Sequence, residues 1–336
     1  MALSERPRGE QPITRSLAEG IRRRERRTLA RAITLVESTR PDHREAAAAL
    51  LAELSDPSRE TVRIGLSGTP GVGKSTFVEA FGMRLIGEGR RVAVLAVDPS
   101  STVAGGAILG DKTRMDRLVR EANAFIRPSP SGGSLGGVSR RTREAILLVE
   151  AAGFDTVIVE TVGVGQSETA VADLTDHFLL LLAPAGGDEL QGVKRGVMEM
   201  ADLVVVNKAD GDLKTQAERT RADYAAALRL FRPRAEEVEG FPHALTVSAV
   251  EETGLDEVGE ALERLDSIRR STGALDRRRR RQTLAWLEQA IGERLSDAFR
   301  AAAGEQLEAL RRQVAAGRTT PDAAARQAVA AVLPQG

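Results

Sequence analysis

The sequence contains no cysteine, which removes disulfides, thiolate metal sites and a cysteine nucleophile together. Its three histidines, His43, His177 and His243, are far apart and unaccompanied by other ligands, so ordinary surface or core histidines are expected. Neither sign of charge dominates: lysine plus arginine and aspartate plus glutamate both number 48, giving no overall attraction to nucleic acid or an anionic membrane. No uninterrupted apolar run is long enough to span a bilayer. Residues 1–11 are charged, contain proline and glycine, and lack the apolar centre of a signal peptide. The expectation is a soluble, cytoplasmic protein without nucleic-acid or membrane partners.

What is present is organised around Gly68-Thr69-Pro70-Gly71-Val72-Gly73-Lys74-Ser75, set between an apolar strand-like run at 62–66 and a helix-like run starting at Thr76. A triphosphate can be wrapped by main-chain N–H groups only where no side chain holds the backbone away, and Gly68, Gly71 and Gly73 supply that clearance. The helix that follows directs its unpaired N–H groups at the phosphates. Lys74 would reach the β- and γ-phosphates, and Ser75 would offer its hydroxyl to Mg²⁺. Pro70, Val72 and Thr76 complete the phosphate-binding stretch. This is the P-loop pattern in the strand-to-helix context it requires.

Further along, alternating strand and helix signals predict a doubly wound α/β fold with a mostly parallel sheet. Strands are expected at 63–67, 91–97, 124–127, 156–161, 177–182, 203–207 and 245–247. Runs such as Val157-Ile158-Val159 suit strands covered on both faces. Helices are expected at 74–87, 139–152, 214–230 and 254–269. One helix from an N-cap at Thr14 to about Glu37 and another over 44–54 form an N-terminal extension, residues 1–57, around a nucleotide domain, 58–270. In the last segment, 271–336, Leu284, Leu287, Ile291, Leu295 and Phe299 recur at helical spacing, which predicts a helical dimerisation arm, with a helical cap on the same domain as the alternative. The arginine runs at 22–27 and 277–281 read as solvated helix faces, with contact to an acidic partner surface as the alternative.

Asn207-Lys208-Ala209-Asp210 follows a strand and predicts guanine recognition. A carboxylate at Asp210 accepts two hydrogen bonds from the guanine ring N–H and amine, and adenine has no matching donor pair. Asn207 would brace neighbouring loops, the stem of Lys208 would cover the base, and Ser248-Ala249 would contact the guanine oxygen through the backbone. Glu160-Thr161-Val162-Gly163 ends another strand, where Glu160 is expected to help hold Mg²⁺ and Gly163 to sense the γ-phosphate. Asp98, at the carboxyl edge of the sheet, and Asp111 are candidates for the Mg²⁺ shell or for positioning water. Ser134-Leu135-Gly136-Gly137 is read as a loop.

These motifs, together with Arg127-Pro128-Ser129-Pro130, Gly163-Val164-Gly165-Gln166-Ser167-Glu168 and Gly187-Asp188-Glu189-Leu190-Gln191-Gly192-Val193-Lys194, resemble the MeaB/ArgK-type P-loop GTPases over roughly residues 14–333. The resemblance implies a Mg²⁺-dependent GTPase, with GTP and GDP as substrate and product. It also implies a chaperone role toward an adenosylcobalamin-dependent acyl-CoA mutase, most readily methylmalonyl-CoA mutase, with no cobalamin bound by the GTPase itself. It further implies a homodimer held by the C-terminal helices and a third switch loop in which Asp188, Gln191 and Lys194 move toward nucleotide or partner. Lys194 would then bring positive charge to the transition state. A metallochaperone GTPase is the alternative, and it predicts a histidine-rich or cysteine-containing metal site that this sequence lacks.

Overall fold

The computed structural model describes residues 11–56, 58–97, 115–128, 135–161, 167–184, 195–231 and 238–332. Three helices come first: α1 (Gln11–Arg22), α2 (Arg26–Glu37) and α3 (Pro41–Leu54). An alternating series follows, made of β1 (Val62–Gly68), α4 (Lys74–Gly87), β2 (Val92–Val97), α5 (Asp116–Arg120), β3 (Ala124–Pro128), α6 (Leu135–Ala151) and β4 (Thr156–Thr161). It continues through α7 (Ser167–Ala172), β5 (His177–Leu182), α8 (Arg195–Met200), β6 (Leu203–Val206), α9 (Lys214–Leu228), β7 (His243–Thr246) and α10 (Leu255–Ser271). The last helices are α11 (Ala274–Ala315) and α12 (Pro321–Val332). Two compact units result, Met1–Arg279 and Arg280–Gly336.

In the first unit all seven strands run parallel in the order β3-β2-β4-β1-β5-β6-β7. Strands β2, β4, β5 and β6 are buried along their whole length, as expected when helices cover both faces. After β1 the chain leaves toward β2, and after β5 it leaves toward β6. These opposite departures open a crevice at the carboxyl edge beside β1, the usual ligand position in such sheets.

The N-terminal helices depart from expectation in one respect. The single helix expected from Thr14 is two helices, and Thr14 lies inside α1 and not at its N-cap. Arg24 takes a left-handed conformation (φ 63°), which turns the chain between α1 and α2. Gly20 permits the close crossing that follows, because a Cβ there would lie 2.7 Å from Thr28. Leu17, Ile21, Leu29, Ile33, Leu50 and Leu54 are buried by this arrangement, and α2 packs on α6. Pro41 opens α3, where its fixed φ suits the first helical position. Leu135, Gly136 and Gly137, read from sequence as loop, form the first residues of α6, while Ser134 lies outside the described residues. In the second unit Leu310, Ala324 and Ala328 pack with Phe299, Leu307 and Val314, joining the end of α11 to α12.

The amino edge of the sheet, opposite the crevice, is closed by buried ion pairs. Arg63 of β1 grips Glu150 of α6 with bonds of 2.6 and 2.9 Å. Arg269 of α10 holds Asp202 in two bonds, 2.7 and 3.1 Å, at the entrance to β6. Its guanidinium also donates to His177 Nδ1 at 3.1 Å, which leaves the proton on Nε2, donated to Asp266 at 3.0 Å. Asp176 accepts from the Arg63 backbone N–H and twice from Arg279, at 3.0 and 2.7 Å. Breaking one partner of a buried pair strands the other charge, at a cost of about 3–5 kcal/mol.

Burial opposes ionisation of Asp176, but the hydrogen bond and charge of Arg279, aided by Arg63, outweigh it and hold the carboxyl at about 2 against an ordinary 3.8. A carboxyl whose pKa is lower when folded contributes stability that is complete above the unfolded value and lost as pH falls through the folded one. Urea unfolding of Asp176→Asn should therefore show lower stability at pH 7. It should also show a flatter pH dependence between about pH 4 and pH 2, the difference being about 2 kcal/mol. An unchanged acid limb would mean that Asp176 is not a native-state carboxylate.

Candidate nucleotide site

Strand β1 ends at Gly68, and a Cβ there would stand 2.3 Å from the carbonyl oxygen of Leu181 on β5. Glycine is therefore required by the neighbouring strand as well as by any phosphate. The loop turns at Gly71 (φ 79°) and Gly73 (φ 92°), both in the left-handed region that glycine adopts without strain. Val72, 1% exposed, anchors the loop in the core, while Pro70 is exposed at its crest. Helix α4 then starts at Lys74, with Ser75 half-buried and Thr76 exposed in its first turn. Lys74 Nζ donates to the carbonyls of Gly68 (2.6 Å) and Thr69 (3.2 Å), so its charge sits over the loop.

The segment expected to read the base is fixed to this loop by one side chain. Asn207, 2% exposed at the end of β6, donates from Nδ2 to the Val72 carbonyl at 2.9 Å, and its Oδ1 accepts the Ala249 N–H at 3.1 Å. The same amide explains Gly73, since a Cβ there would lie 2.7 Å from Asn207 Nδ2. Lys208 (φ 59°) donates to the Gly71 carbonyl at 2.8 Å, which lays its stem along the site. Ser248 Oγ donates to Asp210 Oδ2 at 2.5 Å and accepts the Glu251 N–H at 3.1 Å. Gly254 (φ 77°) closes the turn where a Cβ would meet the Thr246 carbonyl at 2.3 Å.

Glu160, 3% exposed, lies near the carboxyl end of β4 in register with Leu66 of β1 and Ala96 of β2. The next residue, Thr161, donates from Oγ1 to Ser67 Oγ at 3.1 Å and so ties β4 to β1 one residue before the P-loop. That contact was not evident in the sequence, where both residues read as ordinary strand positions. Gly68, Pro70, Gly71, Val72, Gly73, Lys74, Ser75, Thr76, Asn207, Lys208, Asp210, Ser248 and Ala249 thus line the carboxyl edge from β1 to β7, with Glu160 on the adjacent strand. Asp98, Asp111, Gly163, Asp188, Gln191 and Lys194 lie outside the described residues. Among the described residues, no three His, Cys, Asp or Glu side chains cluster in a way that could hold a metal ion. His43 bonds Ser38 at 2.9 Å, His177 belongs to the amino-edge network, and His243 is exposed.

The chemistry available here is specific. A glycine loop, a lysine and a helix N-terminus together hold a polyphosphate. A carboxylate positioned by a serine hydroxyl reads a base that offers two adjacent N–H donors. Removing Asn207 leaves the Val72 carbonyl and the Ala249 N–H without their buried partner. Asn207→Ala should accordingly weaken GDP and GTP binding at least about tenfold. A fluorescent guanine nucleotide measures this, and unchanged affinity would show that the two loops hold their places without the amide.

Comparison with known proteins agrees with this geometry. The profile of the family described as methylmalonyl Co-A mutase-associated GTPase MeaB matches residues 29–304. A probable GTPase of Mycobacterium tuberculosis is 52% identical over 313 residues, covering 93% of each chain. GTPase ArgK of Escherichia coli is 52% identical over 281 residues, covering 83% of this chain and 84% of ArgK. The mitochondrial methylmalonic aciduria type A homolog of Mus musculus is 47% identical over 328 residues, covering 94% of this chain and 79% of the mouse protein. The crystal structure titled LAO/AO transport system kinase superposes with a TM-score of 0.73 at 39% identity, covering 97% and 98% of the two chains. With the P-loop, the Asn207 brace and the Asp210–Ser248 pair in place, the chain is a GTP hydrolase and belongs to the MeaB family of methylmalonyl-CoA mutase-associated GTPases.

Proposed function

We propose that this GTPase is a Mg²⁺-dependent chaperone of an adenosylcobalamin-dependent acyl-CoA mutase, with methylmalonyl-CoA mutase as the first candidate. The observation that carries the mutase assignment is the family match, which spans the nucleotide domain and reaches into α11. The mouse relative named for methylmalonic aciduria supports it. GTP hydrolysis would control loading of the mutase cofactor and protect the working enzyme. This requires the GTP and GDP forms to differ in affinity for the mutase, because a ligand shifts an equilibrium only by differential binding.

In this reading Lys74 neutralises the β- and γ-phosphate oxygens, and the N–H groups of the loop and of α4 hold them in place. The hydroxyl of Ser75 and the carboxylate of Glu160 are hard oxygen donors of the type Mg²⁺ prefers, with Asp98 and Asp111 as further contributors. Bound Mg²⁺ would withdraw charge from the phosphates. Asp98 or Glu160 would orient the attacking water, and the Gly163 N–H would report the γ-phosphate. In the segment with Asp188 and Gln191, Lys194 would add a positive charge to the transition state once the partner is engaged.

In this reading the second unit would supply the homodimer surface. Leu284, Leu287, Ile291 and Leu295 are 63%, 53%, 43% and 65% exposed and recur at three- and four-residue spacing along α11. A second copy of the same stripe would cover them by side-to-side helix packing. Light scattering should give a dimer for the native chain and a monomer for Leu284→Glu with Leu295→Glu. A native monomer would remove the dimer from the account.

Hydrolysis in the presence of a panel of purified cobalamin-dependent mutases tests the chaperone role. The expected outcome is slow turnover alone and stimulation of about tenfold or more by one mutase, lost in Lys194→Ala while GTP affinity is retained. Turnover unaffected by every mutase would leave the GTPase and remove the chaperone assignment.

A further inference from the structure

The base-reading turn is well fixed at its root. Ser248 and Thr253 exchange backbone hydrogen bonds of 3.0 and 3.1 Å, and Asn207 holds Ala249. Its tip is different: Val250 is 78% exposed, and Glu252 adopts φ 55°, an uncommon backbone conformation for a side chain of its size. Among the described residues, the one side chain from outside the turn that bonds this tip is Arg117, whose guanidinium pairs with the Glu252 carboxylate.

Arg117 is itself held from two directions. It belongs to α5, whose Leu118 and the preceding Met115 are buried in the core under α4. Gly82 allows that close packing, because a Cβ there would lie 2.9 Å from Leu118. The Arg117 N–H also donates to the Glu79 carboxylate of α4 at 2.7 Å. The guanidinium is thus presented by a backbone docked on the P-loop helix, and it reaches the guanine turn from the outside. Arg84 of α4 pairs with Asp256 at 2.7 Å in the first turn of α10, just past this turn, so the tip at Glu252 is held by Arg117 alone among the described residues.

We infer that Arg117 is a positioning residue for guanine-nucleotide binding: through Glu252 it registers the turn 248–254 against the P-loop helix and holds the base pocket ready. It touches neither phosphate nor reacting water, so it governs retention of the nucleotide and leaves the chemical step alone. Both partners are half-exposed, which limits the effect and makes it sensitive to salt.

The test is nucleotide release, followed with a fluorescent GDP analogue by stopped flow, together with steady-state turnover. Arg117→Ala and Glu252→Gln should each speed GDP release and raise KM for GTP by about 3- to 10-fold, with kcat at saturation within about twofold of native. The charge exchange Arg117→Glu with Glu252→Arg should recover most of the loss. Raising ionic strength should bring native release toward that of Arg117→Ala and change the variant less. Because both side chains lie at the surface, thermal unfolding of the variants should match the native chain. Native release rates in both single variants would overturn the inference. So would a loss that the charge exchange fails to recover, or a fall in kcat matching the loss of affinity.

Discussion

The nucleotide site depends on one buried amide. Asn207 donates to the Val72 carbonyl of the P-loop and accepts from the Ala249 N–H of the turn at residues 248–254. The phosphate half and the base half of the site come from strands separated in the sheet by β5, and the amide sets their spacing. Its demands spread outward. Gly73 must be glycine partly because Asn207 Nδ2 occupies the space a Cβ would need. The Val72 side chain, 1% exposed, packs in the core beside that bond.

A site assembled from loops needs a rigid base, and here the base is electrostatic as well as apolar. The ion pairs of Arg63, Asp176, Asp202, Arg269 and Arg279 fasten the amino ends of β1, β5 and β6 to α6, α10 and the first residues of α11. Such pairs contribute little net stability once desolvation is counted, but each requires a particular partner in a particular place. They fix strand positions at one edge while the opposite edge carries the loops that meet nucleotide.

Much of this was legible in the sequence because the signals are local. A glycine loop between a strand and a helix, or an Asn-Lys-Ala-Asp run after four apolar residues, needs no knowledge of the rest of the chain. All seven strands were expected within two or three residues of where they lie. What was not legible depends on distant partners. Arg269 meets Asp202 across 67 residues, and Thr161 meets Ser67 across 94. No periodicity records such pairings. The break between α1 and α2 hinges on a left-handed arginine, Arg24, that carries no turn signature. The early start of α6 was missed because Gly136 and Gly137 weigh against a helix.

The central claim is that the two sheet edges divide the work, a fixed amino edge and a nucleotide-responsive carboxyl edge. Amide hydrogen exchange of the native chain, compared without nucleotide, with GDP and with a non-hydrolysable GTP analogue, tests this directly. The account predicts nucleotide-dependent protection at residues 68–76, 207–210 and 248–254, and constant slow exchange at 63, 176–178 and 202. Nucleotide-dependent exchange at the amino edge, or none at the carboxyl-edge turns, would contradict it.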